Sequence, residues 1–244
     1  MEFAFGSGFL WASRNDIANG TPVRFGGLQD VTIDFDGEVK ELYGQYKYPI
    51  DVAAGKAKIT GKAKSARISA VQFNSIYFGE STSTGQKLVA EDEAGTVPSM
   101  STYTVTVANA ANFVADLGVR YASTGEPLAL VASGPTTGQY SVSGSGVYTF
   151  AAAQAGIAML FDYIYSTTGG FTVAGTNQAM GYAPRFGATF TDTYEGSTVT
   201  LRLYSCICNK LSFAGKIDDY MIPEFDFSAY ANSSNQVYEF SAAT

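Results

Sequence analysis

The feature that most restricts this chain is a long run with a period of two, STVTLRLYSCICNKLSF at 197–213. Val199, Leu201, Leu203, Ile207, Leu211 and Phe213 fall on one parity, and Thr198, Thr200, Arg202, Tyr204 and Lys210 on the other. Successive side chains of a β-strand point to opposite faces, so such a run specifies a half-buried strand and not a helix. Strands in globular domains usually run about 3–10 residues. One this long is expected to reach past its own sheet, as barrel walls and sheets continued between subunits do.

The same period recurs elsewhere. In LQDVTIDFDGE at 28–38, Val31, Ile33 and Phe35 oppose Asp30, Thr32, Asp34 and Asp36. In IPEFDFSAYA, Phe225 and Phe227 oppose Glu224, Asp226 and Ser228. In GKAKITGKAK, Lys56, Lys58, Lys62 and Lys64 share a parity with Thr60, while Ala57, Ile59, Gly61 and Ala63 take the other. Residues 44–52 and 56–64 read as two extended runs, with Ala53-Ala54-Gly55 as the hairpin link between them. The period changes at 66–78, where Ala66, Ala70, Phe73 and Tyr77 recur at helical spacing with Ile68 and Val71 alongside. Gly79 is placed to cap that helix. A polar loop is expected at 80–95, a strand at 101–108, and a small β-rich insert of short strands over 98–172. The organisation is therefore a main domain in two parts, 1–97 and 173–244, interrupted by that insert.

A row of lysines suggests nucleic acid, but 22 acids against 15 bases leave a formal charge of −7, and duplex binders usually carry a basic balance. There is no histidine. That removes Ser-His-Asp and Cys-His nucleophilic machinery and the usual general base near neutral pH. GESTSTGQKL at 79–88 is not a phosphate loop: five residues separate Gly79 from Gly85, Gln86 splits the Gly-Lys pair, and Leu88 stands where a hydroxyl is needed. Carboxylate neighbours such as Asp218-Asp219 read as solvated acids. Cys206 and Cys208, two apart on one strand, have poor disulfide geometry and are too few for zinc. They are expected to be reduced thiols. No catalytic residue, cofactor or metal is expected, and the chain reads as a non-enzyme. The beginning MEFAFGSGFLWASR shows no basic leader, and no apolar stretch reaches the ~20 residues of a membrane-spanning helix. The expectation is a soluble protein.

Two blocks carry a resemblance. GSGFLW…TPVRFGGLQDVTIDFDGEVKELYGQYKYPIDVAAGKAKITGKAKSARI and NQAMGYAPRFGATF…TVTLRLYSCICNKLSFAGKIDDYMIPEFDFSAYA, together covering roughly 1–80 and 174–240, resemble the tail tube (major tail) proteins of long-tailed bacteriophages. The intervening 98–172 resembles β inserts of phage structural proteins. The resemblance implies a mainly β fold of sandwich or barrel type with one flanking helix. It implies hexameric rings of the chain with itself, stacked into a tube through which double-stranded DNA passes, with other tail proteins at the tube ends. It places the protein in the virion tail, assembled in the host cytoplasm.

A conduit should hold its cargo weakly, because each lysine–phosphate contact adds steep, salt-dependent affinity. The candidate lumen-facing residues are therefore the acids Asp30, Asp34, Asp36, Glu224 and Asp226. The lysines Lys56, Lys58, Lys62 and Lys64 become an assembly strand, with partners among the acids of 30–38 or among Glu91, Asp92 and Glu93, on a neighbouring strand, subunit or ring. Equally, they read as a solvated edge guarded against aggregation. Trp11 is a candidate core or subunit contact. A head–tail connector, a capsid decoration protein, and a carbohydrate- or surface-binding β module are the alternative readings.

Overall fold

A computed structural model describes residues 6–242. The first five residues, on which the expectation of no leader partly rests, lie outside the described residues. Strands make up 54% of the protein and helix 6%, so it is mainly β.

The order is β1 (Phe9–Arg14), β2 (Val23–Phe25), β3 (Leu28–Tyr43), β4 (Pro49–Ser65), then a short helix α1 (Ala70–Phe73) that runs straight into a π-helical turn (Asn74–Phe78). β5 (Thr82–Thr84) is followed by β6 (Lys87–Thr96), β7 (Thr104–Thr106), β8 (Phe113–Tyr121), β9 (Ala129–Leu130), β10 (Gln139–Val142), β11 (Val147–Phe150) and β12 (Ala158–Ser166). β13 (Phe171–Val173), which pairs with β5, leads to β14 (Arg185–Tyr194), β15 (Ser197–Ser212), β16 (Glu224–Ala229) and β17 (Tyr238–Ala242).

Two compact units result: residues up to Thr82 with those from Val173, and Ser83–Thr172. The insert thus begins at Ser83 and not at 98. The segment 80–95, expected as a polar loop, is mostly strand, because β6 pairs with β12 along almost its whole length. Its charges sit on an exposed edge, with Asp92 in a left-handed bulge (φ 55).

The first unit is one eight-stranded antiparallel sheet, ordered β2-β1-β14-β15-β16-β4-β3, with β17 also paired to β15. It curls: Phe25 of β2 and Phe225 of β16 lie with ring centroids 5.2 Å apart although three strands separate them in the sheet. Phe73 and Ile76 fill the concavity with Phe25, Phe186, Phe225 and Phe227. Ser69 accepts a hydrogen bond from the Gln72 N–H at the helix start, and Gly79 closes it in the left-handed region (φ 66). The helix is shorter than the 66–78 expected, and its buried pair is Phe73 and Ile76, with Ile68 and Tyr77 exposed. The wider π turn re-aims the residues that a 3.6 period would have placed inward.

β15 bears out the long strand but not its single phase. Its inward residues are Leu201 and Leu203, then Cys206 and Cys208, then Leu211. One extra residue against β14, between Leu203 and Cys206, flips the faces; a second against β16, between Cys208 and Lys210, flips them back. Ile207 is thereby turned away from the core phase. The expected hairpin at 53–55 is absent as well: β4 is extended throughout, with Ala53 opposite Lys40 and Ala54 opposite Val39, and the chain reverses at 44–48 instead.

The second unit is a small sandwich of the sheets β7-β11-β10-β9 and β6-β12-β8. Its core is aromatic, with Tyr148 and Phe161 in edge contact at 4.9 Å. The Asp116 carboxylate accepts the Tyr140 and Tyr148 hydroxyls, so two tyrosines are buried with their polar ends satisfied.

Candidate assembly interface

Antiparallel partners point to the same face, so register decides which charges meet. Asp30, Asp34 and Asp36 of β3 stand opposite Lys64, Thr60 and Lys58 of β4. On the other side of β4, Glu224, Asp226 and Ser228 of β16 stand opposite Lys64, Lys62 and Thr60. Lys210 of β15 stands opposite Asp226. Acid, base, acid and base therefore alternate across four strands on one face. Val31, Ile33, Ile59, Ala63, Phe225 and Phe227 occupy the other face and belong to the core.

The lysine row thus has partners within its own sheet. Lys62 Nζ lies 2.8 Å from Glu224 Oε1, Lys64 Nζ 3.3 Å from Asp30 Oδ2, and Lys210 Nζ 3.5 Å from Glu224 Oε1. Lys62 first, and Lys210 after it, hold Glu224 below the ordinary carboxylate range. One carboxylate oxygen of Asp226 is buried without a hydrogen-bond partner among the described residues, facing the positive field of its lysine neighbours. Lys210 was not among the residues singled out from sequence. Its signal was its place on the polar parity of β15.

The acids of 30–38, expected as one possible set of lysine partners, do lie on the neighbouring strand, while Glu224 and Asp226, expected only as lumen-facing acids, share the same surface with the lysines. Asp34, Asp36, Lys56 and Lys58, toward the far end of the ladder, make no ion pair among the described residues. Glu91, Asp92 and Glu93 belong to the second unit. There Arg120 pairs with Asp92, and Glu93 accepts the Tyr163 hydroxyl and, at 2.7 Å, the Ala108 N–H. Trp11 is half-buried on the side of β1 away from Leu10 and Ala12, beside Phe9, with the Arg24 guanidinium over both rings at 4.0 Å from Phe9 and 5.5 Å from Trp11.

Two features leave the first unit incomplete. β3 is the terminal strand, and among the described residues its outer edge has no partner strand along its 16 residues. In addition, β4 pairs with β16 only from Ile59 to Lys64. Beyond that point β3 and β4 continue as a two-stranded ribbon that carries exposed Val39, Leu42, Tyr43, Ile50 and Val52. Tyr46 and Tyr48, at its tip, are 73% and 74% exposed. Phe35, on the core parity, is also exposed; it stands opposite Ile59, the last residue of β4 that β16 covers. Sequence reading missed the tip because 44–52 reads as strand; Gly44 and Pro49, flanking the turn, were the available signal.

Cys206 and Cys208 are free. Burial pushes both thiols up to about 12, so neither is a nucleophile near neutral pH. Among the described residues no group of three or more Cys, Asp or Glu is placed to hold a metal ion, and no helix is long and apolar enough to cross a membrane. No protein-family model matches the chain, and no curated protein matches it.

Proposed function

We propose that the chain is a virion structural protein whose copies join into rings, six to a ring, that stack as the tail tube of a long-tailed bacteriophage. The observation that carries this reading is the open outer edge of β3, 16 residues long, the second half of which belongs to the bare ribbon. Unpaired strand edges are templates for further pairing, and a monomeric protein blunts or covers them. Here the edge is long and bordered by exposed tyrosines, although three bulges interrupt its pairing with β4. Pairing of this edge with a different edge of the next copy, such as that of the other terminal strand β2, each copy rotated by the same angle, closes a ring. The tube accepts other tail proteins at its ends and is assembled in the host cytoplasm.

The charge ladder suits a conduit. A face on which Lys62, Lys64 and Lys210 are paired with Asp30 and Glu224, and on which Asp34, Asp36 and Asp226 add further negative charge beside Lys56 and Lys58, offers phosphate little net positive charge, so a passing duplex is not gripped. Negative-stain microscopy of the purified protein tests the reading. Stacked rings or tubes are expected, and duplex mixed with them is not retained even at low salt. Isolated rings that never stack would favour a head–tail connector, and monodisperse monomers at high concentration would remove the proposal.

A further inference from the structure

The ribbon and the base from which it springs are both incomplete, and one molecule cannot make them complete each other. At the base, β16 stops at Ala229 and β17 resumes at Tyr238, both on the same edge of β15. Among the described residues, Pro49–Lys58 of β4, beside this junction, have no strand on their inner side, and β17 has none on its outer side. Between them opens a cleft of about 580 Å3, lined by Phe35, Ile59, Val237 and Tyr238, with Asp36 and Lys58 on its wall. The Phe35 and Tyr238 rings meet edge-on at 5.2 Å and bound it. Its size is that of a site for a small ligand or a few residues of peptide.

The ribbon tip carries matching chemistry: Tyr46, Tyr48 and Ile50 exposed, with Lys47 and Asp51 among them. Lys47 and Asp51 make no ion pair among the described residues, as is true of Asp36 and Lys58. The tip cannot reach its own cleft. Cross-strand pairs Val39–Ala54, Glu41–Val52 and Leu42–Asp51 keep the ribbon extended, and at ~3.3 Å per residue the tip stands roughly 20–25 Å from the base.

We propose that the ribbon tip of one copy docks in the β4–β17 cleft of a second copy, Tyr46 and Tyr48 covering the Phe35–Tyr238 wall, Lys47 facing Asp36 and Asp51 facing Lys58. The inference rests on the self-assembly in the proposed function, and not on a tube as its product. The contact is head-to-tail, because tip and cleft are different surfaces, so it propagates from copy to copy.

Charge reversal in the full chain tests it. Lys47→Glu alone and Asp36→Lys alone each raise the concentration needed for assembly about tenfold or more, read by sedimentation velocity, and the double variant returns it to the wild-type value. A second test pairs Tyr46→Cys with Val237→Cys. Oxidation yields a ladder of linked copies beyond the dimer on a non-reducing gel, which neither single variant nor the wild type gives. Tubes that form with no rescue and no ladder overturn this inference and leave the proposed function standing. A ladder with rescue, but no rings or tubes, upholds the contact and overturns the tube. Neither assembly nor ladder overturns both.

Discussion

At the residue scale, the lysine strand carries a glycine for a steric reason. A Cβ on Gly61 would lie 2.1 Å from the Phe227 ring, which is itself fully buried. Gly61→Ala is therefore expected to cost about 1–3 kcal/mol through overpacking, seen as a lower urea midpoint with an unchanged slope. Glu224 gives a pH signature. Its folded-state pKa is depressed by Lys62, so its contribution is complete above the unfolded-state value and fades as pH falls through the folded one. A Glu224→Gln variant should approach the wild type as pH falls through the depressed folded-state pKa of Glu224 and be less stable above the ordinary carboxylate pKa of about 4.3. Thermal midpoints between pH 2 and 7 check this; parallel curves with a constant offset would show that the lysine contacts contribute nothing. The parity of these residues was legible in sequence, since side-chain alternation is local. Their partners were not: nothing in GKAKITGKAK indicates that β16, from the other end of the chain, will lie beside it.

At the element scale, helix ends and strand bulges behave differently. Gly79 was legible as a cap because a left-handed residue after a helical period is a local requirement. Gly79→Ala is expected to cost about 1–2 kcal/mol for the backbone alone, with a further clash because its Cβ would lie 2.5 Å from Pro184; guanidinium unfolding measures it. The two bulges of β15 were not legible. Each exists to keep apolar faces aligned against different neighbours, β14 in one stretch and β16 in the next, and neither neighbour is encoded near the bulge. The ribbon is the opposite case, an element with almost no tertiary support. Replacing both Tyr46 and Tyr48 with Ser should leave monomer stability within about 0.5 kcal/mol, as for other exposed positions, while blocking assembly. Equal loss of stability and assembly would place the tyrosines in the fold and not in a contact.

At the scale of the whole molecule, the chain crosses into its second unit and back through paired strands, with Gly85 N donating to Gly170 O at 3.0 Å and Gln86 N to Gly169 O at 2.8 Å. Ends that close to each other can be joined by a short turn. Replacing 87–168 with Asn-Gly is expected to leave the first unit folding in one cooperative transition, measured by circular dichroism on heating; a broad, non-cooperative melt would show dependence on the second unit. The sequence by itself determined that the chain is β-rich, the alternation of faces along unbulged stretches of strand, where the helix ends, and that charged and apolar rows would lie on opposite sides. These are properties of backbone geometry over a few residues. Only the tertiary structure decided that β4 lies between β3 and β16, that lysines and acids share one face, that the insert starts at Ser83, and that the hairpin stands out from the sheet. Strand pairing joins segments distant in the chain, and what selects among possible pairings is the burial of their combined apolar faces around Phe73, Phe225 and Phe227, a quantity no single segment contains.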